Sequence, residues 1–488
     1  MWNPPSSPWR SYIAGEWTAT ADARQYEITD PGRNSETVSR YLLATTAEAE
    51  RAAEAARDAL TVWTATTASE RSDLVYGLVE LWHDHAEDIA QIVSLEMGKP
   101  LSESRSEAQR AVSEMRFWAG EALRLGDRTF PSTRRNTDVY TVREPIGPVA
   151  AITPWNFPIL SPLRKVVPAL VCGCPVVLKP ALQAPGASLY VAGMLHELGV
   201  PAGVFNLLIG GGADVGAALT AHSAIQGITF TGSTDVGLQI AGNAASRNVK
   251  LQLEMGGKNA AVVSSYADIP HAAAEISAAA FAVAGQRCTA ISRVIVTPEV
   301  REELEQALVE RAEALRVGHG SDEGTMMGPI VSKDQFEKVH GSVQAGVREG
   351  ARVLTGGDPL SGDAYSNGYY YPATIVTDVP RKSTLACEEV FGPVLSIISV
   401  QDFEEAIDVA NETRYGLAAS VFTDDMNLSH SFVTRSQSGM VHVNHGTTSE
   451  GQVPFGGVKQ SGQGAYGIGD TSKDFFTNLK AVYHAYRP

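Results

Sequence analysis

Between residues 149 and 231 the chain repeats one arrangement, a short β-rich run followed by a helix-like segment, and nothing else in the sequence restricts its fold so strongly. The runs are residues 149–152, Val176-Val177-Leu178-Lys179, residues 204–209 and Ile228-Thr229-Phe230-Thr231. Strands joined through helices pair in parallel and are covered on both faces, so the pattern reads as a doubly wound α/β sheet. A second alternation starts beyond Cys288, with Val294-Ile295-Val296, a charged helix over residues 299–315 and strand candidates at 373–376 and 394–400. At 488 residues the chain exceeds one ordinary core, and two α/β lobes are expected.

The flanking regions read differently. The first third is expected to be mostly helical: Thr45 and Glu48 form a capping box, and Ser69 precedes Leu74, Leu78, Leu81, Trp82 and Ile89 at near-helical spacing. His83 and His85, two apart on that helix, point to different faces, so they are expected as solvent-exposed residues and no metal site is expected. Residues 138–143 alternate like an exposed strand, and Glu144-Pro145-Ile146-Gly147-Pro148 separates them from the buried run that follows. Residues 475–486 look extended, and an exposed terminal strand invites pairing between subunits.

Composition narrows the partners. Hydrophobic residues at 44% and charged residues at 19% leave little room for extended disorder. A formal charge of −16 argues against nucleic acid or an anionic membrane. Four cysteines in so long a chain do not make a disulfide framework, Cys172-Gly173-Cys174 lacks a second ligand pair, and a reducing cytoplasm fits. Neither Met1-Trp2-Asn3-Pro4-Pro5 nor the alanine-rich residues 272–285, interrupted by Glu275, is expected to direct secretion or membrane insertion.

Four short motifs carry candidate chemistry. Gly285-Gln286-Arg287-Cys288-Thr289 sets a lone thiol among small and polar neighbours, 34 positions after the carboxylate in Leu253-Glu254-Met255-Gly256-Gly257-Lys258. A thiol with the ordinary pKa of ~8.5 needs a base or positive potential to act as a nucleophile; a small buried core cysteine is the alternative. Glu254 closes a strand candidate before two glycines, where it either enters a cleft as a general base or ends in solvent. Asn156 is held on a stiff loop between Pro154 and Pro158, where its amide can donate to an oxyanion or close a turn. Phe230-Thr231-Gly232-Ser233-Thr234-Asp235-Val236-Gly237 suits a phosphate at a helix N-terminus, although a plain strand-to-helix turn uses the same residues.

Together, Pro154-Trp155-Asn156-Phe157-Pro158, Phe230-Thr231-Gly232-Ser233, Leu253-Glu254-Met255-Gly256-Gly257-Lys258, Gly285-Gln286-Arg287-Cys288 and Glu389-Val390-Phe391-Gly392-Pro393 resemble, in order and spacing, the aldehyde dehydrogenase superfamily. The resemblance runs from Tyr12-Ile13-Ala14-Gly15-Glu16-Trp17 to Pro454-Phe455-Gly456-Gly457-Val458-Lys459 and the final strand. It implies an α/β fold of two doubly wound lobes with a small β oligomerisation extension. The implied parts are a dinucleotide-binding lobe (1–126 and 146–257), a catalytic lobe (258–471) and the extension (127–145 and 472–488), which makes a homodimer or homotetramer.

The same resemblance implies NAD or NADP as cofactor and a small-molecule aldehyde as substrate. Thr153, Trp155 and Met255 belong to the implied cofactor site, with Lys179 and Glu389 at the two riboses, Phe391 beside the nicotinamide, and Gly232, Ser233 and Val236 along the pyrophosphate. Cys288 is implied to attack the aldehyde carbon, with Asn156 and the Cys288 amide holding the oxyanion. Glu254 is implied to activate water on the resulting thioester, and Lys165 to help relay the proton. Relatives that pass the acyl group to coenzyme A commonly lack this glutamate, so a carboxylate is the expected product.

Departures from the family pattern bear on specificity. Many NAD-preferring relatives carry a glutamate where this chain has Leu182, so nothing there repels a 2′-phosphate and NADP is expected to be accepted. Tyr466 stands near the place of a second glutamate and receives no role. Arg164 falls where the family lines its substrate tunnel; its guanidinium either pairs with a distal carboxylate or is spent in an ion pair or at the surface. Ala282 replaces an arginine typical of succinic semialdehyde dehydrogenases. Gly285-Gln286-Arg287-Cys288-Thr289-Ala290 with Ser292-Arg293, and Gly439-Met440-Val441-His442-Val443-Asn444, look most like bacterial α-ketoglutaric semialdehyde (2,5-dioxopentanoate) dehydrogenases. Succinic semialdehyde and neutral aliphatic or aromatic aldehydes are the alternative substrates. A noncatalytic protein reusing the fold is the alternative of another class.

Overall fold

The computed structural model describes residues 8–126 and 128–487. The expectation about Met1-Trp2-Asn3-Pro4-Pro5 and the boundaries drawn at Asp127 and Pro488 lie outside the described residues.

The β-rich runs form the strands Val149–Ile152, Val176–Lys179, Phe205–Leu207, Gly227–Thr231 and Lys250–Glu254, and the first three are buried throughout. They pair in parallel, with Phe205–Leu207 and Val176–Lys179 on one side of Val149–Ile152 and Gly227–Thr231 and Lys250–Glu254 on the other. The direction of winding therefore reverses between Val149–Ile152 and Gly227–Thr231. Such a switch opens a crevice beyond the carboxyl ends of the strands. Antiparallel strands close both edges: the hairpin Ser11–Ile13 and Glu16–Thr18 on one side, and Gly462–Gly464 on the other. That last strand lies within the range expected for the catalytic lobe, yet it completes the first sheet.

A seven-stranded sheet follows the order Arg352–Thr355, Thr374–Thr377, Val394–Ser399, Ile291–Val296, Asn259–Val263, Ala418–Phe422 and Met440–Val443. Its pairings are parallel except for that of Arg352–Thr355. The first sheet packs one face, with Val149, Val176 and Leu178, into a large apolar cluster and the other, with Ile152, Val177, Ile228 and Leu253, into a second, while the seven-stranded sheet has a large cluster of its own. Burial of this aliphatic surface is the main drive for both lobes. A third, antiparallel sheet pairs Thr137–Pro145 with Thr129–Phe130 and with the terminal strand Thr477–Ala485, which leaves Leu479 and Tyr483 exposed.

Several expectations need correction. The helical first third begins only at Thr46, because residues 25–42 form the hairpin Gln25–Asp30 and Arg33–Leu42. The Thr45/Glu48 capping box is present, with the Thr45 amide 2.9 Å from Glu48 Oε2. The next helix, Ala68–Met97, is capped by Thr67 and Glu70, so Ser69 lies inside its first turn; a capping box satisfies two amides that Ser69 alone does not. His83 is exposed but His85 is buried beside Tyr190, since position 85 falls on the apolar face of that helix. Among the described residues no cluster of three or more His, Cys, Asp or Glu side chains gathers to hold a metal. Phe475 and Phe476 are not extended: they end the short helix Lys473–Phe476 and are buried against the first core. None of the described helices is long and apolar enough to cross a membrane.

Candidate active site

A cavity of about 550 Å³ lies where the two large sheets meet. Every residue singled out for a role lines it: Thr153, Trp155, Asn156, Arg164, Lys165, Lys179, Gly232, Ser233, Val236, Glu254, Met255, Cys288, Glu389 and Phe391. A single concave site with convergent polar groups is the ordinary form of a small-molecule site.

One wall comes from the carboxyl ends of the first sheet. Beyond Ile152 the chain turns through Pro154 to Asn156, which is buried. Its carbonyl accepts from Lys99 Nζ at 2.9 Å, and its Nδ2 donates to the Gln286 carbonyl at 2.9 Å. One amide hydrogen is thereby fixed and the second is left for the cavity. Lys99 in turn pairs with Glu107 at 2.6 Å, and the other Glu107 oxygen accepts the Ile159 and Leu160 amides at the start of the helix Leu160–Val171. A buried ion pair of this kind holds only because its remaining acceptors are satisfied.

That helix carries Arg164 and Lys165. Lys165 Nζ donates to Thr229 Oγ1 at 3.0 Å, and Thr229 donates on to Gln252 Oε1 at 2.7 Å. Burial pushes the Lys165 amine down to about 8, with Glu254 opposing that shift and Arg164 adding to it. Arg164 donates through Nε and Nη2 to the two oxygens of Glu114, at 2.8 and 2.6 Å, and lies over the Phe455 ring. The ion pair weighed against a substrate role is therefore present, although Arg164 still faces the cavity. Glu254 ends its strand and accepts from Thr231 Oγ1 at 3.0 Å. A Cβ on Gly467 would overlap Glu254 Oε1, so glycine is required for this approach.

The opposite wall is built from turns that precede strands of the second sheet. The helix Ile269–Phe281 ends, and Val283, Ala284 and Gly285 follow at φ values of 56°, 53° and 67°. For the two non-glycine residues this left-handed backbone costs about 1–3 kcal/mol each. The turn is clamped: the Val283 amide donates to Glu103 Oε1, Gln286 Nε2 to the Val283 carbonyl, and the Val331 amide to Gln286 Oε1. Asn259 Nδ2 donates to the carbonyls of Cys288 and Ala290 at 2.7 and 2.8 Å. The half-buried thiol of Cys288 packs against Leu417, Phe455 and Ile468. Burial pushes it up to about 12; Glu254 and Glu389 act in the same direction, and Arg287 and Arg164 oppose them. At neutral pH it is a thiol.

Glu389 and Phe391 enter ahead of Val394–Ser399. Glu389 Oε1 accepts the Gly257 amide at 2.9 Å, and burial raises its carboxyl. Phe391 stands edge-on to Trp155 with ring centroids 5.4 Å apart, and Gln335 Nε2 holds the carbonyls of Val390 and Phe391.

The residues present fit a dinucleotide. Ser233 is the N-cap of the helix Thr234–Ala244 without a side-chain capping bond, so the first-turn amides remain open to an anion. Thr153 Oγ1 is buried and has no partner among the described residues. Lys179 Nζ donates to the carbonyls of Pro180 and Gly210, and burial pushes it down to about 8. Leu182 lines the same cavity, and Tyr466 does not.

The aldehyde dehydrogenase family model matches residues 17–482. The chain belongs to the aldehyde dehydrogenase family. It is 38% identical over 474 residues to the alpha-ketoglutaric semialdehyde dehydrogenase of Bacillus subtilis, covering 97% of each chain. It is 37% identical over 483 residues to the alpha-ketoglutarate semialdehyde dehydrogenase of Haloferax volcanii, covering 99% of this chain and 100% of that one. Among solved structures, a betaine aldehyde dehydrogenase of Staphylococcus aureus in complex with NAD+ superposes with a TM-score of 0.95 at 32% identity, covering 98% of this chain and 95% of that one. This aldehyde dehydrogenase is thus an NAD(P)-dependent oxidoreductase acting on an aldehyde.

Sequence reasoning missed the supports of this aldehyde dehydrogenase's site: Lys99, Glu107, Asn259, Gln335 and Gly467. A signal existed for Asn259, a polar residue opening the otherwise apolar buried strand Asn259–Val263. For Glu107 the signal was charge on a helix face packed against the core, whereas Lys99 lies in the link between two helices and offered none; nothing in the sequence pairs them with Asn156. Arg110, which also lines the cavity, was missed as well.

Proposed function

We propose that this enzyme oxidises an aldehyde carrying a carboxylate at its far end, with α-ketoglutaric semialdehyde as the type, and releases the free acid by hydrolysis. The observation that carries this reading is the single cavity in which thiol, amide, carboxylate and arginines meet. The names of the two similar proteins from Bacillus subtilis and Haloferax volcanii agree with it.

In this reading Cys288 Sγ bonds to the aldehyde carbon as its proton passes to water in the cavity, so that the oxygen of the adduct rather than a free thiolate carries the charge. Asn156 Nδ2 and the Cys288 amide receive the charge on the former carbonyl oxygen. Thr153, Trp155, Lys179, Gly232, Ser233, Val236, Met255, Glu389 and Phe391 would hold a nicotinamide dinucleotide, which would supply the acceptor for hydride from the adduct. Water then adds to the thioester as Glu254 takes its proton, the C–S bond breaks, and the thiol is restored. Lys165 passes protons from Glu254 toward solvent.

The division into lobes 1–126 with 146–257 and 258–471 belongs to the same reading. So does a homodimer or homotetramer joined through the exposed strand Thr477–Ala485, working in the cytoplasm. A neutral aldehyde is the second reading, favoured by Glu114 neutralising Arg164.

The test compares kcat/KM for semialdehyde acids and for neutral aldehydes of equal length, with both cofactors. Equal values would sink the preferred substrate. For the hydrolytic step, Glu254→Gln should give a burst of reduced cofactor followed by stalled turnover; an unaltered steady state overturns that role.

A further inference from the structure

Arg164 is the arginine the sequence offers for a distal carboxylate, but the Glu114 carboxylate already takes its Nε and Nη2. Two other guanidiniums line the same cavity, those of Arg110 and Arg287. Neither forms an ion pair within the described structure. Arg110 Nη2 donates only to the carbonyl and hydroxyl of Ser449, both at 3.1 Å. Arg287 Nη2 donates to Thr289 Oγ1 and to the Thr447 carbonyl, while its Nε is buried with no partner among the described residues. Neutral oxygens of one segment, residues 447–449, thus steady two cations that form no ion pair among the described residues, although Glu107 and Glu114 act on Arg110 and Glu103 on Arg287 from further off.

The same pair also lines an adjoining chamber of about 300 Å³, whose walls carry Glu103, Glu107 and Glu275. Burial pushes the Arg110 guanidinium below its ordinary value, and Arg164 and Arg287 add to that shift against Glu114 and Glu107. A bound anion relieves this crowding. A planar fork with free donors matches a carboxylate better than any other side chain.

We propose that Arg110, with Arg287 beside it, receives the distal carboxylate of the substrate and sets selectivity for acidic aldehydes, while Arg164 is held by Glu114 as part of the wall. This rests on the acidic-semialdehyde reading above. The readout is the ratio of kcat/KM for a semialdehyde acid to that for a neutral aldehyde of equal length. Arg110→Gln should lower the ratio by about 10- to 100-fold, mainly through KM for the acid, because a hydrogen bond to charge is lost. Arg110→Lys should recover part of it, and Arg164→Gln should lower it less.

If the wild-type enzyme uses both aldehydes equally, the substrate reading itself falls and this assignment with it. If the wild type prefers the acid and Arg110→Gln keeps that preference within twofold, only the assignment to Arg110 falls. A measurement on the wild type guards against a misfolded variant: pentanoate should inhibit more strongly than its neutral amide, pentanamide, and added salt should weaken the difference. Equal inhibition by the two overturns the anion subsite.

Discussion

The two walls of the cavity are made in opposite ways. The wall carrying Asn156, Lys179, Gly232 and Glu254 uses the carboxyl ends of parallel strands, where a glycine or proline turn follows each strand and the next side chain emerges into the crevice. The wall carrying Cys288, Glu389 and Phe391 uses turns ahead of strands, with left-handed backbone at Val283, Ala284 and Phe391. Local strand-end geometry brings the first set to the crevice, with Asn156 tied besides to Lys99 and Gln286, whereas hydrogen bonds from distant residues clamp the second throughout. A positioned nucleophile here is a product of tertiary structure, while the cofactor side is close to a property of the βα unit.

Asn156→Ala strikes where the walls meet, since this side chain also binds the Gln286 carbonyl. Turnover should fall by about 10²–10³-fold, the usual loss of one oxyanion donor. Near-normal kcat would break the assignment.

Asn259→Ala tests the clamp without touching the reacting atoms. It strips the carbonyls of Cys288 and Ala290 and the Ala418 amide of their partner. Stability should drop by roughly 2–4 kcal/mol and kcat by about 10-fold or more, as misplacement of a reacting group costs rate. Loss of stability alone, with kcat intact in the folded fraction at low temperature, would show that the clamp is not what aims the thiol.

The pH dependence belongs to the first wall. With Lys165 lowered to about 8, its neutral, proton-accepting form appears as pH rises through that value, so deacylation should accelerate from pH 7 to 9. In Lys165→Met this limb should flatten; an unchanged profile assigns the limb to another group.

The smallest effect concerns cofactor choice. Leu182→Glu should lower kcat/KM for NADP relative to NAD by about 10-fold, through charge repulsion of a 2′-phosphate. Lys179 lines the cavity along with Leu182 and is the cation that offers itself to a 2′-phosphate, so in the unsubstituted enzyme NADP should lose ground as this amine, lowered to about 8, sheds its proton above that pH. A constant ratio across pH 7–9 would remove Lys179 from 2′-phosphate recognition.

Much of this was legible beforehand for identifiable reasons. Residues 149–152 and 176–179 are apolar, β-rich and bounded by turn residues, so their pairing into a parallel sheet followed from pattern alone. The apolar stripe after Ser69 announces the helix but not its start, which the capping box of Thr67 with Glu70 sets two residues earlier. The strands at residues 25–42 escaped notice because their mixed, partly exposed side chains show little apolar contrast. Arg164 was placed in the cavity correctly, but its partner Glu114, 50 residues earlier, could not be inferred.

By itself the sequence determined the α/β class and the two-sheet division and singled out side chains able to carry the chemistry, because strand periodicity and the residue types of reactive groups are local properties. The tertiary structure alone decided which of those side chains are free to act. It spent Arg164 on Glu114, left Arg110 and Arg287 without an ion pair among the described residues, raised the Cys288 thiol and lowered Lys165 and Lys179. Burial and charge pairing depend on neighbours brought together from across the chain, and those neighbours exist only once both cores have formed.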